Sequence, residues 1–289
     1  MSVEVQIALG LAAAFGWGIG DFLSREPTGR LGTHGTILGV GLVGTVATGG
    51  WFLLTGQSPP QAPWTAWALA ALLGLANIGA GYLIFRAFYE GPISLTSPIS
   101  ASYAAVTFVL GLLTGERAGP LALLGLLLVL TGVPLAATPP RRTEGRRPLT
   151  RGVWFAVGAA SAYGIIFWAY KYVTPVVGEG WVVLVARGEA VLVIGALLAL
   201  RVAAFPRGGD LTRAWTLAVI VGVLDTIALL SVTGGTSGGE AVVVVAVSSA
   251  YSVVTVAIAM TFLKERLALH QWTGVALTLL GILLVSVGS

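Results

Sequence analysis

The chain contains no cysteine, and only 10% of its 289 residues are charged. The first absence excludes disulfides and thiolate metal sites. The second excludes a soluble globular protein, because a solvated surface needs roughly 25% charged residues. No Walker loop, zinc motif or Ser-His-Asp constellation occurs, so neither an ATP-driven pump, a soluble-type enzyme nor a bound cofactor is expected. The first apolar segment lacks the basic start and small-residue cleavage site of a secretory signal, and it is expected to be retained. Apolar residues (56%) and 40 glycines stand in place of what is missing.

Apolar blocks of about 20 residues are long enough to cross the hydrocarbon layer. Ten are expected, at 3–23, 31–55, 64–88, 93–114, 119–138, 152–173, 180–203, 214–233, 241–263 and 267–287. Glycine clusters such as Gly39, Gly41 and Gly44, or Gly74, Gly79 and Gly81, read as seams where membrane helices approach closely. The segment 139–150 is rich in Pro and Arg, has no apolar face, and divides the chain into repeats at 1–138 and 151–289. Its Arg141, Arg142, Arg146 and Arg147 share one side with Arg25, Arg30, Arg201, Arg207, Arg213, Lys264 and Arg266 if ten spans are counted. The charge bias then puts the linker in the cytoplasm and both termini outside. A net charge of +4 distributed in this way does not make a nucleic-acid face.

The halves repeat. Laying Gly115-Glu116-Arg117 on Lys264-Glu265-Arg266 also puts Ser100 on Ser249, Gly125 on Gly274 and Gly132 on Gly281. Gly74-Leu75-Ala76-Asn77 falls on Gly222-Val223-Leu224-Asp225, and Trp17-Gly18 on Tyr163-Gly164. Thr33-His34-Gly35 can be laid on Ala186-Arg187-Gly188. Five spans duplicated once take opposite orientations, the inverted-repeat arrangement of secondary transporters, whose site lies between the halves near the midplane.

These residues, with Gly91-Pro92 at the entry to the fourth span, Pro98 inside it, and a glycine-rich final span in each half, make the chain resemble the drug/metabolite transporter superfamily, in particular its ten-span EamA-type members. The resemblance implies an all-α integral membrane protein of two inverted five-helix repeats. It further implies a bacterial or archaeal cytoplasmic membrane and a small-molecule solute moved by alternating access. It also implies peripheral fifth and tenth spans that can make dimer contacts, so monomer and homodimer both stand. Many EamA-type proteins are expected to hold both termini in the cytoplasm, opposite to the charge bias, and orientation stays open. Export of a polar or amphipathic metabolite resembling an amino acid, nucleobase or drug is the leading expectation, with uptake or exchange as the alternative.

An ionisable residue within a span costs at least about 2.5–3.5 kcal/mol on insertion scales, which makes it a functional candidate. Asp225, Glu189 and His34 are the candidates for proton coupling, and Arg187 can bind an anionic group or neutralise Asp225. Asn77, the repeat partner of Asp225, suits a polar solute. Trp17, Tyr82, Tyr103, Tyr163, Trp168 and Tyr251 are candidate lining aromatics, and Ser100 and Ser249 candidate lining hydroxyls. Asp21 reads as a charge near a span end. Gly18-Ile19-Gly20-Asp21 also matches the GxGD signature of intramembrane aspartyl proteases, with Asp225 as second carboxylate, but the companion Tyr-Asp and Pro-Ala-Leu motifs are absent. A scaffold or lipid scramblase with no dedicated solute is the third reading.

Overall fold

The computed structural model describes residues 3–115, 119–138, 149–202, 210–236, 244, 247–248, 250–265 and 267–287. The linker at 139–148, Glu116, Arg117, Arg207, Ser249 and Arg266 lie outside the described residues. Among the described residues every regular element is a helix: α1 (Val3–Thr55), α2 (Trp64–Glu90), α3 (Ile93–Ala101), α4 (Tyr103–Leu113), α5 (Pro120–Ala137), α6 (Leu149–Val177), α7 (Glu179–Ala199), α8 (Leu211–Thr236), α9 (Tyr251–Phe262) and α10 (Leu269–Val287). Six helical stretches there have the length and apolarity to cross a membrane.

The longest of them, α1, is a hairpin. Gly32 has φ 74° and ψ 167°, a conformation that L side chains rarely adopt. Thr28 Oγ1 and Thr36 Oγ1 lie 3.2 Å apart, whereas eight residues of straight helix would separate them by about 12 Å. The chain therefore turns back on itself at Gly32, and α1 consists of limbs 3–31 and 33–55. This moves the expected end of the first span. The run Arg25-Glu26-Pro27 looks like a loop in sequence but remains helical, and Asp21 sits well inside its limb. The expected fourth span is likewise two helices, α3 and α4, joined at Ser102, whose N–H bonds three residues back to Ile99 O (3.2 Å).

Contacts at glycines interchange between the halves. A Cβ at Gly18 would meet Val254 and Tyr251 O, and one at Gly164 would meet Val106 and Tyr103 O. Thr255 Oγ1 donates to Gly18 O (3.2 Å) as Thr107 Oγ1 donates to Gly164 O (3.0 Å). Between α5 and α10, Gly281 abuts Gly125 O and Gly132 abuts Gly274 O, the same glycines that the sequence repeat aligns. Small residues at these crossings let backbones touch, and packing of this kind substitutes for the hydrophobic effect inside lipid.

One end of the bundle carries most of the described ion pairs. Arg25 pairs with Glu265 (3.2 Å), Arg30 and Arg213 with Glu26 (3.2 and 3.0 Å), and Glu90 with Arg86 and Arg151. Glu265, from the Lys-Glu-Arg motif, also accepts from Ser94 Oγ (2.6 Å), Ser94 N (2.8 Å) and Ile93 N (3.1 Å). It caps the start of α3 in the other half, satisfying N–H groups that a helix leaves without internal partners. Glu265, in the second copy of the motif, thus ties the two halves together at this end.

Candidate functional site

A narrow, partly open cavity lies between the halves. The first limb of α1 contributes Trp17 and Asp21, α6 contributes Tyr163 and Phe167, and α8 contributes Asp225 and Leu229. Each of these pairs is four residues apart and so shares one helix face. From α2 come Asn77, Ile84 and Phe85, from α4 Tyr103, from α7 Arg187 and from α9 Tyr251. Four pairs of wall positions are repeat equivalents: Trp17 with Tyr163, Asp21 with Phe167, Asn77 with Asp225, and, by their matching contacts at Gly164 and Gly18, Tyr103 with Tyr251.

The ionic centre is Arg187 with Asp225. Arg187 Nη2 bonds Asp225 Oδ2, and Trp17 Nε1 donates to Oδ1 (3.1 Å). Both carboxylate oxygens are therefore engaged. The Arg187 side chain is 8% exposed and that of Asp225 24%. Close packing fixes the arginine, since a Cβ at Gly44 would stand 2.6 Å from its Cγ and 2.9 Å from its Cδ. Only glycine at 44 leaves this passage open.

The second half of the hairpin settles which residue corresponds to Arg187. Gly41 abuts Ala190, and Gly44 abuts Arg187. Gly74 abuts Ala186 and Glu189, while Gly222 abuts Val40 and Val43. Exchanging the halves maps these contacts onto each other only when Gly41 corresponds to Arg187 and Val43 to Glu189. The sequence pairing of His34 with Arg187 is therefore corrected by seven residues. An arginine on one side of the crossing is accommodated by glycines on the other.

The aromatic wall is continuous. Phe167 touches Trp17 (centroids 6.0 Å), Tyr103 (4.9 Å), Tyr163 (5.7 Å) and Tyr170 (6.0 Å). Tyr103 and Tyr251 lie with planes 7° apart at 6.3 Å, and Trp17 meets Tyr251 edge-on. The hydroxyl of Tyr103 reaches Ser248 Oγ (3.4 Å).

Of the residues picked from sequence, Trp17, Asn77, Tyr103, Tyr163, Arg187, Asp225 and Tyr251 share this cavity. The other described candidates lie elsewhere. Trp168 points away from its neighbour Phe167, toward Thr114 (3.4 Å), Tyr172 and Lys171 at an exposed edge. Tyr82 packs on His34 (5.6 Å) outside the cavity. Ser100 is buried and its hydroxyl bonds Thr96 O (2.9 Å) in its own helix. Glu189 stands behind Gly74, with Oε2 buried and unpartnered among the described residues. Ser249 lies outside the described residues.

Five wall residues were not among those candidates: Asp21, Ile84, Phe85, Phe167 and Leu229. Phe167 carries no polar atom, and its signal was the four-residue spacing from Tyr163. Asp21 is 8% exposed, and its Oδ2 has no hydrogen-bond partner among the described residues. Its signal was the distance to Gly32, hidden by the charged run that follows it.

Comparison with known proteins agrees with this architecture. The family model of the EamA-like transporter family matches residues 5–138 and again 150–287. A solved crystal structure of another protein, 18% identical, superposes with a TM-score of 0.69 over 98% of this chain and 96% of that one, a likeness of fold. An uncharacterized protein of Methanocaldococcus jannaschii is 39% identical over 74 residues, 26% of this chain, and the match spans about half (54%) of that relative's length. With both halves matched, the chain belongs to the EamA-like transporter family and is a multi-pass integral membrane protein, a membrane transporter of the drug/metabolite type.

Proposed function

We propose that this protein is a secondary active carrier of ten spans, in two inverted five-span repeats, that exports a small amphipathic metabolite across a prokaryotic cytoplasmic membrane by alternating access. The observation carrying this reading is the cavity between the halves, lined by repeat-equivalent residues and holding an ion pair deep in the bundle. Ionisable side chains at that depth are costly and face substrate or ion pathways, and carriers of this architecture bind between their repeats. The hairpin at Gly32 supports counting α1 as two spans, and α3 with α4 as one broken span. Discontinuous helices of that sort line transporter sites. Proton coupling would fall to Glu189, whose buried Oε2 lacks a partner among the described residues, in preference to Asp225, which already holds Arg187 and Trp17. Solute and bilayer are the partners. The protein acts as a monomer, or as a homodimer through the outward faces of α5 and α10.

The protease reading is less well supported. Asp21 and Asp225 do line one cavity, but an aspartyl dyad needs two carboxylates that share a proton, and both oxygens of Asp225 are occupied. A scramblase or scaffold reading gives no reason for an aromatic-walled ionic cavity.

The test is counterflow in proteoliposomes loaded with a pooled set of amines, amino acids, nucleobases and sugars. A carrier accumulates labelled solute against the preloaded gradient, and Asp225→Asn abolishes the signal in folded protein. Absence of counterflow for every class, with lipid transbilayer movement instead, would overturn the reading.

A further inference from the structure

Resting on the carrier reading above, we infer that Asp21 is the cargo-recognition residue of this cavity, and that the cargo is an organic monocation: an amine or amidine carried on a flat apolar body. The inference comes from the balance of charges and surfaces around the cavity. Arg187 and Asp225 neutralise each other, with the remaining oxygen of Asp225 bonded by Trp17. That pair offers a cargo neither a free cation nor a free carboxylate. Asp21 is different. It lines the same space, is more than nine-tenths buried, and has a carboxylate oxygen with no partner among the described residues. A buried charge without a partner is strongly disfavoured. A cationic group entering the cavity would provide the missing counter-ion.

The remaining walls fit the same ligand. Trp17, Tyr103, Tyr163, Phe167 and Tyr251 form one connected set of rings. Aromatic faces attract cations through the ring quadrupole, most strongly where water is excluded, and they cover the flat body of the same molecule. A cargo carboxylate would have to take Arg187 from Asp225, leaving a second carboxylate without a counter-charge. The site therefore favours an amine over the corresponding amino acid. The repeat sharpens the assignment, because the position equivalent to Asp21 is Phe167: one half supplies the charge and the other the ring.

The experiment is calorimetric binding to the purified full chain in detergent, with three probes: phenethylamine, its uncharged N-acetyl derivative, and phenylalanine. The amine is expected to bind at least tenfold more tightly than either of the others. Asp21→Asn should weaken the amine at least tenfold and leave the N-acetyl compound unchanged, and Asp21→Glu should recover part of the loss. The comparison among probes on the unaltered chain needs no variant, so misfolding of Asp21→Asn would leave the test intact. Equal or tighter binding of phenylalanine or the neutral compound would overturn the cation assignment while leaving the carrier reading standing. If counterflow is seen for a neutral or zwitterionic solute only, the same conclusion follows. No binding of any probe, together with no counterflow of any class, would overturn both.

Discussion

Removing Asp225 should harm the fold more than removing Arg187, although the two form one ion pair. In Asp225→Ala the guanidinium keeps its position beside Gly44, with its side chain 8% exposed. It cannot shed its proton, so the variant leaves an uncompensated buried charge, a loss of about 3–5 kcal/mol. In Arg187→Ala the remaining carboxylate is 24% exposed and keeps the Trp17 bond. About 1–3 kcal/mol is therefore expected, the penalty for a partly satisfied polar group. The double variant removes both charges together and should recover about 2–3 kcal/mol relative to the sum of the singles, the upper range for residues in direct contact. The assay is reversible unfolding in mixed micelles by sodium dodecyl sulfate, followed by tryptophan fluorescence. Additive single effects, or Arg187→Ala costing more than Asp225→Ala, would refute the pairing and burial on which the argument depends.

Three further outcomes follow from the packing. Gly44→Ala puts a methyl into the Arg187 stem and should destabilise by about 1–3 kcal/mol, with most of that loss absent in an Arg187→Ala background; the same unfolding assay reads it. Glu265→Ala frees the first N–H groups of α3 together with Ser94 and Arg25. It should cost about 0.5–2 kcal/mol, as loss of a helix cap does, and show first as faster amide exchange at Ile93 and Ser94. Thr107→Val and Thr255→Val each remove a bond to a glycine carbonyl across the halves. Each should cost about 0.6 kcal/mol, the average for interhelical bonds in membranes, and the two losses should be similar because their surroundings are repeat equivalents. A much larger loss in one of them would show that the halves differ at this crossing.

Much of the architecture was legible because it rests on chain-local physics. Scarcity of charge and the length of apolar runs identify a membrane protein without any contact information. The glycines of α5 and α10 align in sequence and meet in space, because the crossing that needs them was duplicated with them. Trp17 with Tyr163 and Asn77 with Asp225 were aligned by the same route, whereas the motif alignment puts Tyr103 on Ser252, and the contacts at Gly18 and Gly164 are what pair it with Tyr251. The element breaks were harder to read. Arg25-Glu26-Pro27 has the composition of a loop, yet its charges are held by Glu265 and Arg213 from distant segments, so the helix runs on to Gly32. That misplacement is what made Asp21 look peripheral. Trp168, Tyr82 and Ser100 fall outside the cavity for another reason. In spans that are apolar on every face, composition does not tell the cavity side from the lipid side.

By itself, then, the sequence determined the class of molecule, its duplication, and the residues that two copies of one pattern must place opposite each other. The tertiary structure alone decided which charges meet. Arg187 faces Gly41 and Gly44 across a crossing where only one large side chain fits, reaches Asp225, and leaves Asp21 in the cavity with a carboxylate oxygen that has no partner among the described residues. Such pairings depend on the depth and rotation of neighbouring helices, which are set by contacts between residues far apart in the chain.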